Sequence, residues 1–309
     1  MATAYLFPGQ GSQYVGMGRD AYESNASARA FFDEADALFG KLSELAFVGP
    51  EEQLRDTVNQ QPALYVSSMA NWQCMRDEGW PEPDFLAGHS LGEFATLVAA
   101  GSMTFSDGLQ LVRKRGKLMK QAGEISPGAM AAVLALPVEQ IAALCARAED
   151  ETGLAVQVAN DNCPGQIVIS GHEEALQRAV ELAEEAGARR VVRLPISIAA
   201  HSDLMDSVSG AFAAAVDEVP LRDPQIPVIG NVSARPLQTV DEIRKELKAQ
   251  LTSPVAWTDS MRYLLGVGSD TFIEVGPNNI LLALMKRIDR KAKRVAFDDG
   301  PDRQRRAVS

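Results

Sequence analysis

The chain has 309 residues, 46% hydrophobic and 23% charged, enough to bury a sizeable core in one large domain or two unequal ones. A formal net charge of −11 argues against a general affinity for nucleic acid or an anionic membrane. Cys74, Cys145 and Cys163 are widely spaced without a CxxC pair, no run approaches about 18 apolar residues, and the start carries no leader-like pattern. The expectation is a soluble, cytoplasmic protein.

Strand-like and helix-like segments alternate along the chain, the mark of an α/β fold. "TAYLF" reads as a short strand ended by Pro8, Gly9, Gln10 and Gly11. Helical patterns follow over residues 27–39 and 62–79, the second with Leu64, Ser68, Trp72 and Met75 at helical spacing. A strand then runs into "GHSLGEFATLVAAG", and a further helix covers 106–123. From Gly128 the texture changes. A strand, a helix opened by Pro137, two strands, a helix closed by Gly187 and a last strand follow within residues 128–196. That β-α-β-β-α-β order is the split βαβ, ferredoxin-like arrangement. The expected architecture is a large α/β-hydrolase-like domain with a parallel sheet, residues 1–127 and 197–309, carrying an inserted small ferredoxin-like domain, residues 128–196. Helices over 201–219, 241–251 and 279–288 and strands "PVIGNV" and "DTFIEVG" complete the large domain, and the tail "DDGPDRQRRAVS" reads as disordered.

Gly88-His89-Ser90-Leu91-Gly92 fits G-x-S-x-G, in which the glycines permit a sharp strand-to-helix turn that lifts the serine hydroxyl out of the sheet. The Leu91 N–H would lie at the first turn of the next helix, where unpaired donors can hold an oxyanion. As a packing corner the motif would need no nucleophile. A serine nucleophile requires a base, and the chain has three histidines. His89, beside Ser90, reads as a packing or hydrogen-bonding residue. His172 opens a helix as a solvated residue near its cap. His201 is the best base by position and by exclusion. No acid stands out to orient it, which suggests a Ser-His dyad helped by a neutral acceptor.

Arg115 is the second unusual residue. Leu111, Leu118 and Ala122 stand at −4, +3 and +7 from it, placing it on the apolar stripe of its helix while Arg113, Lys114 and Lys117 point elsewhere. A buried guanidinium demands an anion. That anion is either an internal Asp or Glu or a substrate carboxylate, and the sequence leaves both open.

"FPGQGSQ", "GHSLGE", "RG.LM", "N.N.PGQ.VISG", "H..LM", "SPV.W" and "FIEVGP" occur in order over nearly the whole chain. Together they resemble the malonyl-CoA:acyl carrier protein transacylases and related polyketide acyltransferase domains. The resemblance implies that Ser90 is acylated by malonyl-CoA and that His201 serves as base and then acid. It further implies an oxyanion hole of the Gln10 and Leu91 N–H groups, Arg115 on the malonyl carboxylate, and Gln250 as the acceptor orienting His201. Asn160 and Asn162 match a loop near the substrate entrance, though both also suit turns. The implied partners are coenzyme A thioester and a phosphopantetheinylated acyl carrier protein, with no metal and no tightly bound cofactor.

Two positions depart from the family pattern. Ala199 and Ala200 precede His201 where serine or phenylalanine is common, which bears on acyl selectivity. Asn278 and Asn279 stand where glycine and lysine are frequent. Other readings of the same residues are a trans-acting polyketide acyltransferase, a hydrolase clearing carrier proteins and a non-catalytic carrier-binding scaffold. Arg113, Lys114, Lys117 and Lys120, or Lys286, Arg287, Arg290, Lys291, Lys293 and Arg294, are the candidate basic docking sets, each also readable as a solvated helix face.

Overall fold

A computed structural model describes residues 2–297. The expected disordered tail lies outside the described residues. Ten strands are numbered in chain order: β1 (Ala2–Phe7), β2 (Phe85–Gly88), β3 (Gly128–Leu134), β4 (Val156–Cys163), β5 (Gln166–His172), β6 (Arg190–Arg193), β7 (Val228–Ile229), β8 (Pro236–Leu237), β9 (Ser269–Val275) and β10 (Lys293–Phe297). They form two sheets. The first has the order β10-β9-β1-β2-β7-β8, with parallel pairing everywhere except between β7 and β8. The second has the order β4-β5-β3-β6 and is antiparallel throughout. The fold is mixed α/β, as expected.

Strand β1 shows why the first sheet is buried on both faces. Successive side chains point to opposite sides. Tyr5 and Phe7 enter the core beneath the Thr57–Asp77 helix, whereas Ala4 and Leu6 enter the core beneath the Trp257–Gly266 and Ile280–Ile288 helices. Strands covered on both faces read as continuous apolar runs, which is how "AYLF" reads.

The Thr57–Asp77 helix corrects the expected start at Pro62. Proline has no N–H to give to the carbonyl four residues back, so the Val58 carbonyl is left without its helical donor. Arg113 Nη1 donates to that carbonyl at 2.7 Å. The partner helix Phe105–Ile125 comes close enough to do this because Gly116 lies flush on it; a Cβ there would meet the Thr57 carbonyl oxygen at 2.9 Å. Burial all round the Thr57–Asp77 helix, including Gln60, Gln61, Ser67, Ser68 and Asn71, hid its period from the sequence.

Strand β10, which carries Lys293 and Arg294 of the second basic set, is not anticipated by the sequence reading and forms the sheet edge, paired in parallel with β9. Among its basic neighbours, Arg294 Nη1 donates to the Asp289, Arg290 and Ala292 carbonyls, and Arg287 donates to Gln166 and to the Pro164 and Gly165 carbonyls. No helix among the described residues is long and apolar enough to cross a membrane.

Candidate active site

The elbow is built by close approach. Strand β2 ends at Gly88 and the next helix starts at Gly92. A Cβ on Gly88 would stand 2.1 Å from the Gly92 carbonyl carbon, and one on Gly92 would stand 2.0 Å from the Phe7 oxygen. Only glycine fits both places. Between them Ser90 is held at φ 49°, a left-handed conformation costly for a residue with a Cβ. Asn231 braces the strained turn: its Oδ1 accepts from the Ser90 N–H at 2.7 Å and its Nδ2 donates to the Gly88 carbonyl at 2.7 Å.

His201 arrives from the segment following the second sheet and is also left-handed, at φ 57°. Its Nε2 lies 2.8 Å from Ser90 Oγ. Its Nδ1 faces the Gln250 carbonyl at 2.8 Å and the Ser253 carbonyl at 3.2 Å. Carbonyls only accept, so Nδ1 carries the proton and Nε2 presents its lone pair to the serine. Among the described residues the acceptors at the ring are backbone carbonyls, of Gln250 and Ser253, and not a carboxylate. Burial first, and the charge of Arg115 second, lower the His201 pKa from 6.5 to about 3.

Arg115 is 1% exposed. Its Nε donates to Gln250 Oε1 at 3.1 Å, its Nη1 to Gln61 Oε1 at 3.0 Å and its Nη2 to Ser90 Oγ at 3.0 Å. Phe94 lies under the guanidinium at 5.6 Å. Every one of these partners is neutral. The amide of Gln250 links Arg115 to Glu93: Gln250 Nε2 donates to Glu93 Oε2 and, at 3.1 Å, to the Ser90 carbonyl. Of the two readings left open by the sequence, a direct internal ion pair is therefore not what the side chain makes. Burial lowers the Arg115 pKa to about 10, with Glu93 opposing.

Glu93, Gln61 and Asn231 are site residues that the motif reading missed. Glu93 is fully buried and its Oε1 accepts from the Asn231 N–H at 3.0 Å. Burial, then Glu246, push its carboxyl above the usual range. The available signal was a single charge in the otherwise apolar run "GEFATLVAA".

A cavity of about 370 Å³ opens onto Ser90 and His201, walled by Gln60, Met119, Met130, Leu194 and Ala200 and rimmed by Gln10 and Arg55. A neighbouring cavity of about 420 Å³ shares Gln10, Arg55, Pro195 and Ile196 and continues past Lys120. Gln10 lies in the loop after β1 and lines the cavity with Ser90, Leu91 stands at the start of the Gly92–Ala99 helix, and neither N–H is taken by a described residue.

Asn160 and Asn162 are not turn residues. Both lie on β4, whose register shifts twice against β5, and these irregularities turn their side chains inward. Asn160 lines the cavity, and Asn162 Oδ1 lies 2.8 Å from His89 Nε2. His89 also packs on Trp257 at 5.3 Å, matching its expected packing and hydrogen-bonding role. His172 stands at the N-cap position of its helix, without a capping side-chain hydrogen bond, and is half-buried rather than solvated.

The same arrangement of elements occurs in known proteins. A family model described as acyl transferase domain matches residues 4–297. The malonyl CoA-acyl carrier protein transacylase of Bacillus subtilis is 44% identical over 297 residues, covering 96% of this chain and 93% of the relative. The chain belongs to the acyl transferase family. The Escherichia coli K12 transacylase of the same name is 41% identical over 286 residues, with 92% of each chain covered. In structure, this acyl transferase resembles an acyl carrier protein S-malonyltransferase from Vibrio cholerae, with a TM-score of 0.94, 40% identity and 100% of each chain covered. It also resembles a malonyl-transacylase solved in complex with its type II polyketide acyl-carrier protein, with a TM-score of 0.93, 36% identity and 97% of each chain covered.

Proposed function

We propose that this acyl transferase moves malonyl from coenzyme A to the phosphopantetheine thiol of an acyl carrier protein through a malonyl-Ser90 intermediate. The observation that carries the reading is Arg115 Nη2, 3.0 Å from Ser90 Oγ, on a buried guanidinium whose partners are all neutral. A guanidinium has five N–H donors in a planar fork, so donors remain for a carboxylate arriving with the acyl group.

In the first half-reaction Ser90 Oγ attacks the thioester carbonyl carbon and its proton passes to His201 Nε2. The Gln10 and Leu91 N–H groups hold the oxyanion of the tetrahedral intermediate. The C–S bond breaks, and the departing thiolate takes the proton from Nε2. In the second half-reaction the carrier thiol gives its proton to Nε2 and attacks the ester carbonyl, and Ser90 Oγ leaves and takes the proton back. The order is ping-pong, with one oxyanion hole for both halves.

Burial and the charge of Arg115, which lower His201 to about 3, make it a weak base. A substrate carboxylate beside Arg115 offsets the charge that lowers it, so the correct acyl group raises the basicity that its own transfer needs. Nucleophile, base and donors all belong to the chain, and the scheme uses no resident metal or redox cofactor.

Several finer features fit this reading. Ala200, Met119 and Met130 leave an apolar, adaptable acyl wall, so we expect malonyl to be preferred over methylmalonyl by only about 1–3 kcal/mol. The βαββαβ order of residues 128–193 and its sheet order support a ferredoxin-like insertion in a hydrolase-like domain. The three described cysteines are buried and unbridged, which supports a reducing, cytoplasmic setting.

Intact-protein mass spectrometry after mixing with malonyl-CoA tests the proposal. A stable malonyl adduct mapped to Ser90 and discharged by holo-carrier protein is expected. Rapid release of free malonate would instead indicate a hydrolase, and no adduct a binding scaffold.

A further inference from the structure

Asn278 is one of the family departures noted in the sequence, and its backbone is left-handed at φ 66°. Asparagine tolerates that conformation better than most residues with a Cβ. Unlike glycine, it also has a side chain to use there. Its Nδ2 donates to the Ser12 carbonyl at 2.8 Å, a tie across 266 residues. Ser12 closes the loop after β1, residues 8–12, in which Gln10 and Gly11 are exposed at the cavity rim.

The platform from which Asn278 reaches is itself rigid. It stands between the end of β9 and the start of the Ile280–Ile288 helix. Glu274, fully buried on β9, accepts from the Leu281 N–H at 3.1 Å and the Leu282 N–H at 3.0 Å, locking strand to helix. Gly276 presses on Pro8, where a Cβ would stand 2.5 Å from the ring Cγ. The loop is thus held before Gln10 by Gly276 and after it by Asn278. Within the loop, the Ser12 N–H reaches the Gly9 carbonyl at 3.3 Å and the Gly11 N–H reaches Gln13 Oε1 at 2.8 Å; both are local bonds that travel with it.

We propose that Asn278 is a positioning residue that holds the Gln10 N–H in place beside Ser90, acting through the Ser12 carbonyl. The inference rests on the reading that the Gln10 N–H stabilises the oxyanion. A donor on a loosely held loop spends part of its time away from the developing charge, and preorganisation is what gives such donors their catalytic effect.

The test is a double-mutant cycle with Gln10→Pro, which deletes the donor, and Asn278→Gly, which keeps the backbone conformation and deletes the tie. Gln10→Pro should lower kcat about 10²- to 10³-fold. Asn278→Gly should lower kcat several-fold with KM for malonyl-CoA and Tm near those of the parent, and should add nothing on the Gln10→Pro background. Asn278→Asp, which keeps the left-handed tolerance but turns an acceptor toward the Ser12 carbonyl, should lose at least as much as the glycine variant; this arm stands even if Gln10→Pro fails to fold. An unchanged kcat in both Asn278 variants, or losses that multiply with that of Gln10→Pro, would overturn the positioning role while leaving the oxyanion reading intact. A normal kcat in folded Gln10→Pro would overturn the oxyanion reading and this inference with it.

Discussion

The Phe105–Ile125 helix presents the same chemistry on two faces with opposite consequences. On the outer face Lys120 pairs with Asp56 at 2.7 Å, and Lys114 and Lys117 line an open cleft with Asp107 and Glu218. Exposed pairs of this kind contribute about 0–1 kcal/mol and can be exchanged with water. On the inner face Arg115 is buried among amide and hydroxyl oxygens and forms no ion pair with a described residue. Taking a cation out of water costs several kcal/mol even after relaxation. The contrast separates a cation that is solvated from one that is held ready. What marks a binding group is the combination of burial with neutral partners, not positive charge.

The sealed centre should respond most strongly to loss of its base. His201→Ala is expected to slow acylation of Ser90 about 10²- to 10⁴-fold with the fold retained. Near-normal malonyl-Ser90 formation in a stopped assay would show another base at work.

Within the same helix, Arg115→Lys should restore malonyl loading only partly relative to Arg115→Ala. An ammonium point charge cannot satisfy Gln250, Gln61 and a carboxylate in one plane. Steady-state kcat/KM for the two variants measures the difference, and full rescue by lysine would reduce the site to simple charge.

The centre should also be visible in its pH dependence. Neutral His201 is favoured by the fold, since its pKa falls from 6.5 to about 3. Its contribution to stability is present above 6.5 and is lost as pH falls from there toward 3. For activity, the acid limb of acetyl-CoA loading should lie below 6.5 and should move upward in Arg115→Ala, which removes the second cause of the shift while burial persists. Glu274 runs the other way. Burial raises it from 4.5 to about 8, so its contribution is present below 4.5 and is lost as pH rises through 8. A limb that does not move in Arg115→Ala would separate the two charges.

The outer face should give the smallest effect. Charge reversal at Lys114 and Lys117 is expected to slow discharge of malonyl to an acidic carrier protein a few-fold at low salt, with acylation by malonyl-CoA unchanged. Equal losses in both half-reactions would reject a docking role for this face.

The parts of the molecule legible in the sequence were those in which one residue's neighbours along the chain decide its environment. The elbow announces itself because Gly88 and Gly92 must be glycine wherever a strand turns so tightly into a helix. Arg115 was visible as a charge on an apolar stripe, and His201 by elimination. Partners that converge from distant segments were not legible. Gln61 meets Arg115 and Asn231 meets Ser90 only once the sheet and the helices are packed, and nothing in "QQPAL" or "IGNV" says which polar group faces inward. Asn160 and Asn162 read equally as turn formers because asparagine favours turns, whereas both are buried on the irregular β4, Asn160 in the cavity wall and Asn162 against His89. Strand β10 was hidden by its lysine and arginine, which suit a sheet edge as well as a solvated helix face.

The central claim is that Arg115 is reserved for a substrate carboxylate, and the malonyl-to-acetyl loading ratio of Ser90 tests it most directly. Mass spectrometry with malonyl-CoA and acetyl-CoA in competition, on the parent and on Arg115→Ala, gives the ratio, and Tm is measured beside it. Stranding a buried carboxylate opposite alanine should cost malonyl loading about 2–5 kcal/mol, while acetyl loading is kept or improved and the ratio inverts. Parallel loss of both acyl groups with a lowered Tm would contradict the claim and return Arg115 to a structural role.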